Sequence, residues 1–325
     1  MKSRLMRIFQ VSLIGLAFGI SGMTNAQTYP SRTVKLVIPF SAGATADTLG
    51  RLIARDMAEN LGQSVVVENK AGGGSTIGAA SVARSAPDGY TILFGSGSTH
   101  TVAPVVIKAM TYDPEKDFQP IGLVGSSSYV LVVNPKLPFN TLAELIDYGK
   151  KNPQKLTYGS TGLGGAVHLA TAMLEGLTGA SFLHVPYRGG APAIADLLAG
   201  QIDFVLTTAE NAPMISNGKL RALAVLGPRR LDALPEVPTC IEAGVPNCAF
   251  PVWNAVFVPA DTPSPVVERL TKALAYSLAQ TSTINRLQEL GYQPGSADPQ
   301  ALARRVVDEG AFMRKIAGAA GVQPQ

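Results

Sequence analysis

One local design occurs twice in this chain, and it limits the folds available. The segment Lys35-Leu-Val-Ile-Pro-Phe-Ser-Ala-Gly-Ala-Thr-Ala-Asp47 is a short apolar strand, a small-residue loop containing glycine, and then an amphipathic helix over residues 48–61. The segment Lys155-Leu-Thr-Tyr-Gly-Ser-Thr-Gly-Leu-Gly-Gly-Ala-Val-His168 repeats the design and leads into a helix over 169–177. Such loops let backbone N–H groups approach a ligand, and the helix N-terminus behind each carries partial positive charge. Two of them make either a two-sided anion clamp or a pair of ordinary strand-to-helix turns.

The rest of the chain alternates strand and helix signals. Strands are expected over 34–39, 64–68, 90–94, 129–134, 155–158, 181–185, 204–206 and 222–225, and helices over 49–61, 76–85, 141–152, 167–177, 191–199, 265–280 and 301–317. Leu49, Leu52, Ile53, Met57 and Leu61 form one apolar stripe on the first helix. This alternation predicts an α/β protein of mostly parallel sheets flanked by helices. Apolar runs over 129–133 and 252–258, each followed by a Pro-rich segment, suggest two extended crossings between two lobes, with the C-terminal helices returning to the first. The expected division is lobe 1 over 27–128 and 252–325, and lobe 2 over 129–251.

The first 26 residues read as a secretory leader. Lys2, Arg4 and Arg7 precede a short apolar run over 8–20, and Thr24-Asn25-Ala26 offers small residues for cleavage after Ala26. Export to a periplasm follows. The leader also accounts for part of the basic balance: removing its 3 basic residues from 27 leaves 24 Lys and Arg against 23 Asp and Glu. Near-neutrality, with no basic cluster interleaved with aromatics, argues against a nucleic-acid surface. Cys240 and Cys248 are the only cysteines. In an oxidising compartment they suit a local disulfide, with two separate buried thiols as the alternative.

Catalytic signatures are sparse. Gly162-Leu-Gly-Gly-Ala-Val167 lacks the third small residue of a dinucleotide loop, and Ala71-Gly-Gly-Gly-Ser-Thr-Ile-Gly78 lacks the Lys of a P-loop. No GxSxG elbow occurs, and His100, His168 and His184 are scattered without zinc spacing. Neither a cofactor nor a metal is expected.

The chain resembles the Bug family, the TctC-type extracytoplasmic receptors of tripartite tricarboxylate transport systems. The resemblance runs through Tyr29-Pro-Ser-Arg-Thr-Val-Lys-Leu-Val-Ile-Pro-Phe40, Gly43 to Asp47, and Val65-Val-Val-Glu-Asn-Lys-Ala-Gly-Gly-Gly74. It continues through Ala86-Pro-Asp-Gly-Tyr90, Tyr112-Asp-Pro-Glu-Lys-Asp-Phe118, Tyr158-Gly-Ser-Thr-Gly162 and His184-Val-Pro-Tyr-Arg-Gly-Gly-Ala-Pro192. It implies a two-lobed periplasmic binding protein, monomeric and non-enzymatic, which captures a small organic carboxylate for the membrane subunits of a transporter. A sensor role for a membrane kinase, or an enzyme acting on a small acid, are the alternatives.

By the same resemblance the ligand contacts are Phe40, Ser41, Gly43, Ala44 and Thr45 from one lobe, and Ser160, Thr161, Gly162, Gly164, Thr207 and Thr208 from the other. Asp47 and His168 are expected to brace the loops. Ala44 and Ala46 stand where the family often has a second Gly and then Thr or Ser, Gly165-Ala166-Val167 stands where Ser residues are common, and Leu206-Thr207-Thr208 stands where many members carry Phe-Asp-Asn. Without that Asp the pocket lacks its obvious ammonium partner, so an acid without an amino group is expected to bind best, unless Glu210 takes that role.

Overall fold

Two half-sheets share one long strand, and that strand sets the shape of the molecule. The computed structural model describes residues 29–163, 165–187 and 189–319, so the leader and its cleavage position lie outside the described residues.

The first half is built on β1 (Val34–Ile38), α1 (Thr45–Leu61), β2 (Val65–Asn69), α2 (Thr76–Ala83) and β3 (Thr91–Ser96). β1 lies parallel between β2 and β3. The stripe on α1 packs onto the sheet: Leu49, Ile53 and Met57 are fully buried and Leu61 nearly so, while Leu52 is only half-buried. Each such side chain contributes about 1.5–3 kcal/mol through burial. Gly62, at φ +69°, ends the helix in a left-handed cap whose N–H reaches the Ala58 carbonyl.

A π-helical turn at Ser98–Val102 leads into α3 (Ala103–Val106) and then into β4 (Phe118–Val133). β4 is far longer than the strand expected from residue 129 onward. Its first part contains Pro120, Gly122, Gly125 and three serines, all poor strand formers. Pairing overrides that preference. The segment from Phe118 to Ser128 runs antiparallel to β9 (Pro251–Pro259), with register shifts near Gly122 and Gly125. Both glycines are required by close backbone approach. A Cβ on Gly122 would lie 2.6 Å from Ala297 Cα, and one on Gly125 would lie 2.8 Å from the Gln293 carbonyl oxygen.

From Tyr129 onward β4 changes partners. It now pairs with β7 (Phe204–Thr207) on one edge and β8 (Arg221–Leu226) on the other. The return crossing matches: the Phe250 N–H bonds the Leu226 carbonyl, while Pro251 already pairs with Ser128. The second half also contains α4 (Leu142–Lys151), β5 (Thr157–Ser160), α5 (Ala166–Thr178), β6 (Leu183–Pro186), α6 (Gly190–Ala199) and α7 (Ala212–Ser216). β5 lies parallel between β6 and β7. The result is a mixed two-lobed α/β fold, with parallel pairing in each half and antiparallel strands joining them.

The Pro-rich segments sit at the far ends of the crossing strands. Asn134 closes β4 in a turn, donating to the Leu197 carbonyl and accepting from the Lys136 N–H. At the other end, Thr262 donates to the Pro259 carbonyl. After β9 come α8 (Ser264–Leu278), α9 (Thr281–Glu289), the short β10 (Gln293–Pro294) and α10 (Pro299–Ala319). α9 was not anticipated, because it buries only Thr283 and Leu287 and shows no broad apolar stripe. α10 serves both halves. Its Leu302 and Val306 join the core around Trp253 and Phe257, while Met313, Ile316 and Ala317 join the core around Leu131, Tyr158 and Phe204. Cys240 and Cys248 form a disulfide within the second half.

Candidate functional site

The first loop runs from the end of β1 to the start of α1, and a buried carboxylate holds it. Asp47, in the first turn of α1, accepts from the Gly43 N–H at 2.9 Å, from Asn69 Nδ2 at 2.9 Å and from Arg51 Nε at 3.0 Å. Asn69 also donates to the Phe40 carbonyl at 3.1 Å. Burial alone would raise the Asp47 pKa, but the bonds from Arg51, Gly43 and Asn69 outweigh it and hold the carboxyl below its ordinary range. Gly43 is needed for its φ of +82°, not for space, since a Cβ there would meet nothing within 4 Å. This bracing leaves Ser41, Gly43 and Ala44 exposed, Thr45 half-buried, and Phe40 against the first core.

The second loop follows β5 and is braced by a pair of imidazoles. Ser160, only 1 % exposed, places its Oγ 2.6 Å from His184 Nε2. The same hydroxyl accepts from the Gly162 N–H at 3.1 Å and lies 3.0 Å from the Gly162 carbonyl oxygen. His184 stacks on His168, with centroids 4.2 Å apart and planes 5° from parallel, and on its other neighbour Tyr158 at 4.9 Å. Burial, reinforced by the proximity of His168, pushes His184 down to about 4, and burial also lowers His168. Gly162 adopts φ +130°, a conformation closed to most side chains. Thr161 and Leu163 are exposed, and Gly164 lies outside the described residues.

Thr207 and Thr208 follow at the end of β7. Thr207 is buried and accepts from Asn211 Nδ2 at 2.7 Å. Thr208 hydrogen-bonds Glu210, whose carboxyl is raised by burial against the opposing effect of that bond. The Glu210 charge in turn adds to the upward shifts of the Tyr129 and Tyr292 phenols, which burial dominates. These tyrosines bring Glu210 to the junction of the halves, where Gly291 lies so close to Ala209 that a Cβ would come within 2.2 Å of the Ala209 Cβ.

The sequence-predicted residues therefore form one group in each half. Among the described residues no hydrogen bond links the two loops. Asn69 and His184 were missed as bracing residues. Each lies far along the chain from what it holds, and only its place in a strand beside the loop-bearing strand would have signalled the role. Among the described residues no cluster of His, Cys, Asp and Glu could hold a metal ion, and no helix is long and apolar enough to cross a membrane.

Comparison with known proteins fits this geometry. Residues 49–322 match the model of the tripartite tricarboxylate transporter family receptor, TctC. A UPF0065 protein of Bordetella pertussis is 37 % identical over 99 % of both chains. Among solved structures, Rpa4515 of R. palustris with adipate superposes with a TM-score of 0.85 at 36 % identity, covering 91 % of this chain and 100 % of that one. The periplasmic binding protein BugD gives 0.83 at 37 % identity, covering 91 % and 100 %. MatC of Rhodopseudomonas palustris with bound malate gives 0.81 at 32 % identity, covering 89 % and 99 %. The chain belongs to the Bug family of TctC-type receptors.

Proposed function

We propose that this chain is a periplasmic receptor that closes two lobes on a small organic carboxylate and delivers it to the membrane subunits of a tripartite tricarboxylate transporter. The observation that carries the reading is the pair of braced loops. Each ends a parallel strand, opens a helix and is held by side-chain hydrogen bonds, to Asp47 and from Asn69 in one half and between Ser160 and His184 in the other. Backbone donors fixed in this way replace the hydration of a carboxylate without a full counter-charge. Family relatives solved with adipate and with malate support the same ligand class.

In this reading Ser41, Gly43, Ala44, Thr45, Thr161 and Gly162 meet the ligand directly, with Gly164 as a further contact and Phe40 at the ligand's apolar body. Ser160 acts one step back, because its hydroxyl is engaged by His184 and Gly162. The lobes divide within β4 between Ser128 and Tyr129, and on the return at Phe250 and Pro251. The leader is removed after Ala26, and the chain binds without catalysing. Thr207 and Thr208 supply no charge to balance a ligand ammonium. An acid without an amino group is therefore favoured, since an unpaired buried ammonium is costly.

Calorimetry with matched pairs tests this, succinate against aspartate and glutarate against glutamate. Tighter binding of the acids without an amino group is expected. Tighter binding of both amino acids would overturn the selectivity and assign the ammonium to Glu210.

A further inference from the structure

One contact between the two halves is closer than the local chain requires. Gly291 follows α9 and turns the chain into β10 at φ +72°. A left-handed turn favours glycine, but it does not by itself demand empty space around the residue. Gly62, Gly179 and Gly200 end α1, α5 and α6 at φ +69°, +75° and +77°. A Cβ on Gly62 or Gly179 would meet nothing within 4 Å, and one on Gly200 would meet only the Asn134 side chain, at 3.7 Å. At Gly291 it would stand 2.2 Å from the Ala209 Cβ and 3.6 Å from the Ala209 Cα.

Both sides of this contact are fixed. The Gly291 carbonyl accepts from Ser127 Oγ at 2.7 Å, and its N–H donates to the Gln288 carbonyl at 2.9 Å. Two residues on, Gln293 pairs with Ser126 of β4. Ala209, 1 % exposed, belongs to a core of the second half and directly follows Thr208. A further bond between the halves runs from Gln293 Nε2 to Asp232 Oδ2 at 3.1 Å. The connector from α9 to β10 thus rests on the second half at two points.

We propose that Gly291 and Ala209 form the stop that sets the spacing of the two halves at the ligand site, with Gly291 as a positioning residue for Thr207 and Thr208. This inference rests on the carboxylate receptor proposed above. Neither residue of the stop touches the ligand. The missing side chain lets the first half seat directly on the residue after Thr208, so the contact fixes how far the two threonines stand from the first loop. A methyl group added at Gly291 must displace the halves, because what it meets is a buried, rigid Cβ and not the end of a flexible chain.

The chain has no free cysteine, so spin labels on Ile77→Cys and Ala195→Cys, exposed positions in the first and second halves, report the spacing alone. In the ligand-free protein Gly291→Ala should shift the label distance, and adding Ala209→Gly should restore it. Gly62→Ala, which imposes a similar left-handed strain with open space around it, should leave the distance unchanged. Calorimetry should show succinate binding at least tenfold weaker in Gly291→Ala and within threefold of the wild type once Ala209→Gly is added. An unchanged distance in Gly291→Ala, a shift that Ala209→Gly does not reverse, or wild-type succinate affinity in Gly291→Ala would overturn the proposal. Should Gly291→Ala fail to fold, Ala209→Val crowds the contact from the other side, at a residue outside the left-handed region, and a wild-type label distance there would overturn it too. Absence of succinate binding to the wild type would count against the receptor reading, and the label distances would still decide the stop.

Discussion

Asp47 shows how a single carboxylate can shape a binding loop without touching the ligand. It ties the turn at Gly43, the first turn of α1 and the end of β2 into one unit. Asp47→Ala would leave several donors unmatched, at a cost of about 1–3 kcal/mol. Urea unfolding should register that loss, and titration should show a severalfold weaker carboxylate affinity. An unchanged affinity would mean that the loop holds its shape without the brace. His184 offers a second test at this scale. Its folded pKa of about 4 lies below the ordinary histidine value of about 6.5. Between those values the unfolded chain binds a proton that the folded chain does not, so stability is full above pH ~6.5 and falls as pH drops towards 4. His100, stacked on Phe257 and pushed by burial to about 3, acts in the same sense. His184→Gln should therefore show a shallower decline of Tm between pH 6.5 and 4.5, and a slope equal to the wild type would contradict the assignment. The bracing role of Asp47 was expected from the family resemblance, and its bond from the Gly43 N–H shows the contact. The turning of Ser160 towards His184 was not expected, since it depends on β6 lying beside β5.

At the scale of elements, the helices whose apolar stripe faces a sheet were readable, and those that are amphipathic only in part were not. α1 and α5 bury broad faces, whereas α9 buries two residues. β4 was read only from its second half, where Val130 to Val133 form an unbroken buried run. Its first half is a strand because β9 supplies a full-length partner, which no local pattern announces. The Cys240–Cys248 bridge is a local device: it closes a short segment, and both cysteines are fully buried. Thiol titration of the unfolded, unreduced protein should find no free thiol. Replacing the pair with alanines should cost about 2–3 kcal/mol, the chain-entropy value for so short a loop. Two titratable thiols in exported protein would contradict the bridge.

For the whole molecule, the sequence indicated two α/β lobes joined by two crossings, with the C-terminal helices returning to the first, while the structure adds a third connection. α10 packs into the cores of both halves, and Val102, Val105 and Val106 reach the second core from the first half of the chain. The two crossing strands are thus accompanied by a helix that packs into both halves. Small-angle scattering should show a small decrease in radius of gyration on ligand saturation. An increase would contradict closure around the ligand. The account rests most heavily on the claim that both loops grip one carboxylate. The direct measurement is a calorimetric titration of adipate, malate and succinate into the wild type and into Gly162→Val. The account predicts that at least one of these acids binds the wild type with one site per chain, and that Gly162→Val lowers its affinity at least tenfold. Binding of that acid to Gly162→Val with wild-type affinity, or no binding of any of the three to the wild type, would contradict it.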